Sequence, residues 1–170
     1  RFYVTQDDDL TRVRSQQVAD LGEVNMSDSD TLVDFVTWAV RSYPADKYVL
    51  ILSDHGMGWP GGWSDADPGP GGAQADRSIP LSSATGDELF LMEIDQALSD
   101  IRAQVGLDKF EMIGMDACLM GHLEVLSALE PHARYAVLSQ ETEPSVGWAY
   151  TSFLGALNDN PDMTGSELSQ

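Results

Sequence analysis

Two residues in this chain stand where a thiol could be made to react. Cys118 is the single cysteine and follows the apolar run in "MIGMDACLMG", residues 112–121. His55 follows another such run in "KYVLILSDHG", residues 47–56. An imidazole can withdraw a thiol proton or hold the thiolate as an ion pair. Gly56 comes next, so its N–H can approach a substrate carbonyl closely. With the Cys118 N–H it would form an oxyanion hole. The chemistry would be acyl transfer: thiolate attack, an acyl-enzyme, then hydrolysis. A lone Cys or a lone His is more often a structural residue. Their joint placement after two strand-like runs, near glycines, is what raises the catalytic reading. His122, four residues past Cys118, is a rival base. On the same helix face it would sit beside the thiol rather than across a cleft. His132, after the helix-ending Pro131, reads as a surface residue. No H-E-x-x-H or G-x-S-x-G pattern occurs, so neither a zinc peptidase nor a serine hydrolase is supported.

The surrounding elements must bring the pair together. Leu32, Phe35, Val36, Ala39, Val40 and Tyr43 recur at helical spacing, with Ser27 or Asp28 as cap and Pro44 as stop. Tyr48 to Leu52 is an unbroken apolar run, as expected of a strand covered on both faces. Residues 56–80 are dense in Gly, Pro and Asp and read as a long loop. Ile94, Ala97, Leu98, Ile101 and Val105 mark a second helix ended by Gly106. "KFEMIGM" is the next strand. Leu119, Leu123, Leu126 and Leu129 suggest a third helix beginning just after Cys118, whose amino-terminal dipole would favour the thiolate. "RYAVLS" is another strand, and Phe153, Leu154 and Leu157 a last helix. Alternating helices and strands predict an α/β fold, a mostly parallel sheet flanked by helices on both faces. In such sheets, sites form beyond the carboxyl ends of the strands, where "SDHG", "MDACLMG" and "SQETEP" lie.

Composition narrows the partners. The chain has 170 residues, 42% hydrophobic and 22% charged, which suits one globular domain over 1–170. The opening "RFYVTQ", without Met, and the closing "DMTGSELSQ", like the first turn of a helix, suggest a truncated piece. No apolar run is long enough to span a bilayer, and no signal-peptide pattern opens the chain. The net charge of −19 repels nucleic acid and anionic lipid, so neither is an expected partner. Basic peptides and divalent cations would be attracted, although plain solubility explains the charge more simply. One cysteine excludes an internal disulfide, a CxxC redox pair and a cysteine-rich zinc site.

The stretches "LGEVNMSDSDTLVDFVTWAVRSYPADKYVLILSDHGMGW" (21–59) and "MDACLMGHLEVLSALEPHARYAVLSQETEPSVGWAY" resemble the clostripain family of cysteine peptidases. The specific marks are the blocks HGxGW and DACLMG, in that order. The resemblance implies a three-layer caspase-like fold, related to caspases, legumains and gingipains. It also implies a Cys–His dyad of Cys118 and His55, with Gly56 and the Cys118 N–H at the oxyanion. Asp116 would then be the acidic floor of the pocket for the substrate residue before the cut bond (P1), giving cleavage after Arg in preference to Lys. A carboxylate can hold a guanidinium by two parallel hydrogen bonds. The competing reading is that Asp116 caps the following helix. Glu141, Glu143 and Trp148 match the family's "ETEP…GW" block and would wall the cleft, with Trp148 as apolar lining; the competing reading is a core or loop-scaffold role, and no catalytic role is expected of the two glutamates.

Relatives are often activated by a cut in the loop after the histidine. Within 59–81, Arg77–Ser78 is the candidate processing bond, since Arg77 is the only Lys or Arg between Lys47 and Arg102. Asp65, Asp67 and Asp76 raise calcium, which some relatives need, but their spacing fits no EF-hand and a solvated acidic loop explains them. No cofactor is otherwise expected. Location is open, with export or the cell envelope suggested by relatives and the cytoplasm compatible with a free thiol. The expected function is an endopeptidase cutting proteins or peptides after basic residues. The alternatives are a catalytically silent peptide-binding or scaffold domain, and a cysteine hydrolase of small amides that would not need Asp116.

Overall fold

The computed structural model describes residues 1–6, 11–12, 14–61, 63–64 and 88–170. The elements in chain order are β1 (Phe2–Tyr3), β2 (Gln16–Gln17), α1 (Ser29–Ser42), β3 (Val49–Ser53), β4 (His55–Gly56), α2 (Gly58–Gly61), β5 (Trp63–Ser64), β6 (Glu88–Leu89), α3 (Leu91–Val105), β7 (Phe110–Asp116), α4 (Leu123–Leu129), β8 (Ala133–Leu138), α5 (Tyr150–Asp159) and α6 (Gly165–Leu168).

The central sheet has the order β3-β7-β8 and is parallel throughout. β7 lies in the middle, and six of its seven residues are buried. This is the burial that an unbroken apolar strand anticipates. The three small-strand pairings elsewhere are antiparallel: β1 with β2, and β4 with β5 with β6. Two-residue strands carry too little periodicity to be read from sequence.

The main core lies on one face of the sheet. Ile113 and Met115 of β7 pack with Leu32 and Val36 of α1, Ile94, Leu98 and Ile101 of α3, and Val125 and Leu129 of α4. α1 begins where its cap was expected, with the Asp28 carboxylate accepting from the Asp30 N–H. α3 ends at Gly106 in the left-handed conformation, which glycine adopts without steric cost. The other face is covered by the chain after β8. The Trp148 ring lies against Gly114, and Gly165 meets the Tyr135 ring. α5 itself buries no residue.

Two sequence expectations are corrected. The third helix begins at Leu123, with His122 as its N-cap, not just after Cys118. Leu119 lies outside it, with a positive φ of 59°, and Leu123 and Leu126 are exposed. The buried stripe is Val125 and Leu129 instead. His132 is also not on the surface: it is 1% exposed. Its Nε2 lies 2.6 Å from Asp95 Oδ1, and its Nδ1 lies 3.2 Å from Arg102 Nη1. These partners come from α3, a separate element, so local sequence around Pro131 could not reveal them.

Candidate active site

The register of the sheet creates the site. Ser53, the last residue of β3, stands opposite Asp116, the last residue of β7. The Asp54 N–H continues the ladder by donating to the Asp116 carbonyl at 3.3 Å. His55 and Cys118 each lie two residues further on. Two of the strand ends expected to carry chemistry are therefore neighbours, and His55 and Cys118 leave the sheet at the same rim.

Gly56 makes the closest approach between them. A Cβ built on it would stand 2.2 Å from the Cys118 carbonyl oxygen and 3.0 Å from Ala117 Cβ. No side chain fits there, so glycine at 56 is what lets the histidine strand lie on the cysteine loop. His55 itself is open: its side chain is 70% exposed, with Nε2 3.8 Å from Asp54 Oδ1. That separation allows charge attraction when the ring is protonated, but it is too long for a hydrogen bond. The His55 backbone N–H donates to the same Asp54 oxygen at 2.7 Å. Asp54 was not anticipated from the sequence, although it adjoins the histidine. Among the described residues, no hydrogen bond joins His55 to Cys118.

Cys118 is half-buried in a turn that runs along residues 139–143. The Leu119 N–H donates to the Glu141 carbonyl at 3.0 Å, and the Gly121 N–H to the Ser139 carbonyl at 2.6 Å. The Glu143 N–H points at the thiol, 3.3 Å from Sγ, and Sγ lies 4.0 Å from the Glu143 carbonyl. The donor to the sulfur is thus a loop amide rather than a helix terminus, which corrects the expected dipole effect. α4 starts too far along the chain, and its dipole falls off within a turn. Leu119, held at positive φ beside Cys118, stores local strain of a kind that recurs at functional sites.

Asp116 is only 5% exposed. Its Oδ2 accepts from the Trp148 N–H at 3.0 Å, the Tyr150 hydroxyl at 3.0 Å and, more weakly, the Ser53 hydroxyl at 3.4 Å. Gly147, at φ +68°, passes so close that a Cβ there would stand 2.6 Å from Oδ2. Among the described residues, no Lys or Arg pairs with this carboxylate. Asp116 caps no helix, because α4 begins at Leu123. The Tyr150 hydroxyl is held above its ordinary value of 10.0, first by burial, then by its bond to Asp116 and the charge there. Tyr150 is a further residue of the site that the sequence did not single out. Between it and Asp116 lie α4, β8 and the loop after β8, and no local pattern marks the contact.

Trp148 contributes its backbone to Asp116 and its ring to Gly114. The Glu141 and Glu143 main chains brace the cysteine loop, as described. His122 is exposed and lies against Gly58, whose added Cβ would come within 3.0 Å of the ring. Arg77, Ser78, Asp65, Asp67 and Asp76 lie outside the described residues. Among the described residues no group of three or more His, Cys, Asp or Glu is placed to hold a metal ion, and no helix is long and apolar enough to cross a membrane.

Comparison with known proteins gives the family. Residues 3–170 match the clostripain family. Clostripain of Hathewaya histolytica is 32% identical over 110 residues, 64% of this chain and 19% of that protein. Among solved structures, a secreted cysteine protease from Bacteroides thetaiotaomicron, bound to an irreversible peptide inhibitor, superposes with a TM-score of 0.63 at 25% identity, covering 89% of this chain and 38% of that one. An inactive protease zymogen from Parabacteroides distasonis shares the fold, with a TM-score of 0.57 at 24% identity over 84% of this chain and 34% of that one. The chain thus spans about a fifth of the curated relative and under two fifths of the solved ones. A match along nearly the whole chain, on a parallel α/β sheet whose adjacent strand ends carry His55 and Cys118, places it in the clostripain family of caspase-like cysteine proteases.

Proposed function

We propose that the full protein bearing this chain is a cysteine endopeptidase that cuts after basic residues, Arg before Lys. The observation that carries the reading is Asp116: a buried carboxylate, two residues from the thiol, with no cation of the described chain against it. A charge removed from water needs a partner, and a substrate guanidinium or ammonium would supply one. An acidic surface of net charge −19 would draw basic substrates toward it.

In this reading His55 takes the Cys118 thiol proton and the thiolate sulfur attacks the carbonyl carbon. The tetrahedral oxyanion is held by the backbone N–H groups of Gly56 and Cys118. Donors of this type contribute roughly 2.7–4 kcal/mol each to the transition state. The C–N bond then breaks, the amine leaves with the proton from His55, and a thioester remains on Cys118. Water attacks the thioester and gives a proton to His55. The acid is released, and sulfur regains its proton. Asp54, against His55, favours the imidazolium that forms midway. The Glu143 N–H steadies the charge on sulfur between cycles. Glu141, Glu143 and Trp148 wall the cleft.

By analogy with the secreted relative, export is the proposed location. Processing at Arg77–Ser78 and a calcium requirement are proposed from the family resemblance alone. The test is a fluorogenic panel differing only at P1 (Arg, Lys, Asp, Asn, Leu), run on the full-length protein and its Cys118→Ala variant, with and without calcium. Cleavage selective for basic residues that vanishes in Cys118→Ala supports the reading. Turnover without P1 selectivity returns the small-amide hydrolase, and silence from the full-length protein returns the scaffold domain.

A further inference from the structure

The three hydrogen bonds that described residues make to the Asp116 carboxylate all end on one oxygen. Oδ2 takes the Trp148 N–H and the Tyr150 hydroxyl, each at 3.0 Å, with Ser53 Oγ behind them at 3.4 Å. A carboxylate oxygen has two lone pairs, so two good donors fill it. Gly147 closes the remaining approach to the same oxygen, its Cβ position lying 2.6 Å from Oδ2 and 3.5 Å from Oδ1. Oδ1 accepts no hydrogen bond from the described residues.

We propose that Tyr150 is a specificity-determining residue that acts through Asp116: its hydroxyl and the Trp148 N–H reserve Oδ2 for the protein and leave Oδ1 as the one acceptor for a substrate's P1 cation. This rests on the reading of Asp116 as the floor of the P1 pocket. It refines the two-oxygen grip on Arg expected from the sequence. A guanidinium fork gains over an ammonium only when both carboxylate oxygens face it. With one oxygen on offer, Arg makes one hydrogen bond and a charge contact, which a Lys ammonium also makes. The preference for Arg over Lys is therefore modest. The hydroxyl of Tyr150 is the removable part of the block, since the other strong donor is backbone.

The experiment compares kcat and KM for otherwise identical substrates with Arg or Lys at P1, in the full-length protein and its Tyr150→Phe variant. The native protein should prefer Arg by less than about tenfold in kcat/KM, because the second oxygen is taken. Tyr150→Phe should widen that ratio by about fivefold or more, through a lower KM for Arg with kcat held. A native ratio above about tenfold overturns the proposal, and this arm stands even if the variant does not fold. A ratio that stays within about twofold of native in folded Tyr150→Phe also overturns it, whatever happens to overall activity. Asp116→Asn separates the two layers. If that variant keeps its preference for basic over Leu P1 substrates, the pocket reading itself fails. If the preference is lost while Tyr150→Phe changes nothing, Tyr150 alone is excluded.

Discussion

The backbone N–H of Glu143 stands 3.3 Å from the sulfur of Cys118, and it reaches there because the cysteine turn is laced to residues 139–143 by main-chain hydrogen bonds. The same loop continues to Gly147, Trp148 and Tyr150 on Asp116. One segment after β8 thus touches both the proposed nucleophile and the carboxylate proposed to read the substrate.

That donor can be deleted without changing a side chain that touches sulfur. Glu143→Pro removes the N–H and should slow alkylation of Cys118 by iodoacetamide at neutral pH about threefold to tenfold, since a charge-assisted hydrogen bond is worth roughly 1.5–3 kcal/mol before relaxation. Glu143→Ala keeps the N–H and should react like the native protein. Equal rates in all three would show that the amide does nothing for the thiolate.

Gly56 faces backbone rather than a yielding side chain. In Gly56→Ala the new methyl would meet the Cys118 carbonyl at 2.2 Å, so the cysteine loop must shift. The cost should be about 1–3 kcal/mol of stability, seen in urea unfolding. Proteolytic activity of the full-length variant should fall about a hundredfold, because displacements near 1 Å cost that much in an aligned site. Native activity in Gly56→Ala would mean the two strand ends need not touch.

His132 predicts a purely structural loss. His132→Ala would open a cavity and leave Asp95 and Arg102 without their shared partner. Unfolding should show a loss of about 2–4 kcal/mol. A loss under about 0.5 kcal/mol would be the value for an ordinary surface site, and would contradict the buried pair.

Tyr150 gives an alkaline signature. Its hydroxyl loses its proton at a higher pH in the folded chain than the ordinary 10.0, with burial the main cause and Asp116 the next. The unfolded chain therefore releases this proton first. The stabilisation is complete below pH 10 and is lost as pH rises through the folded value. Unfolding measured from pH 8 to 11.5 should show a decline that is shallower in Tyr150→Phe. Superimposable profiles would disprove the linkage.

If Arg77–Ser78 is the processing bond, active full-length protein should appear as two chains whose junction begins at Ser78. Arg77→Ala, and separately Cys118→Ala, should leave it whole. Mass spectrometry of the purified proteins decides, and a single uncut chain with full activity refutes it.

The sequence by itself determined the parallel strands, three of the helices and the two strand ends where chemistry could sit. Unbroken apolar runs, caps such as Asp28 and stops such as Gly106 act through neighbours along the chain, so they can be read from it. Leu119, Leu123, Leu126 and Leu129 mimic a helix stripe, although α4 starts only at Leu123. The cysteine turn forms instead because Leu119 and Gly121 find hydrogen-bond partners across space, in residues 139–141. Only the tertiary structure decided that His132 is buried on α3, that a loop amide faces Cys118, and that Tyr150 shares one oxygen of Asp116 with Trp148. Each of these depends on contacts between residues far apart in sequence, where periodicity and propensity carry no information about the partner.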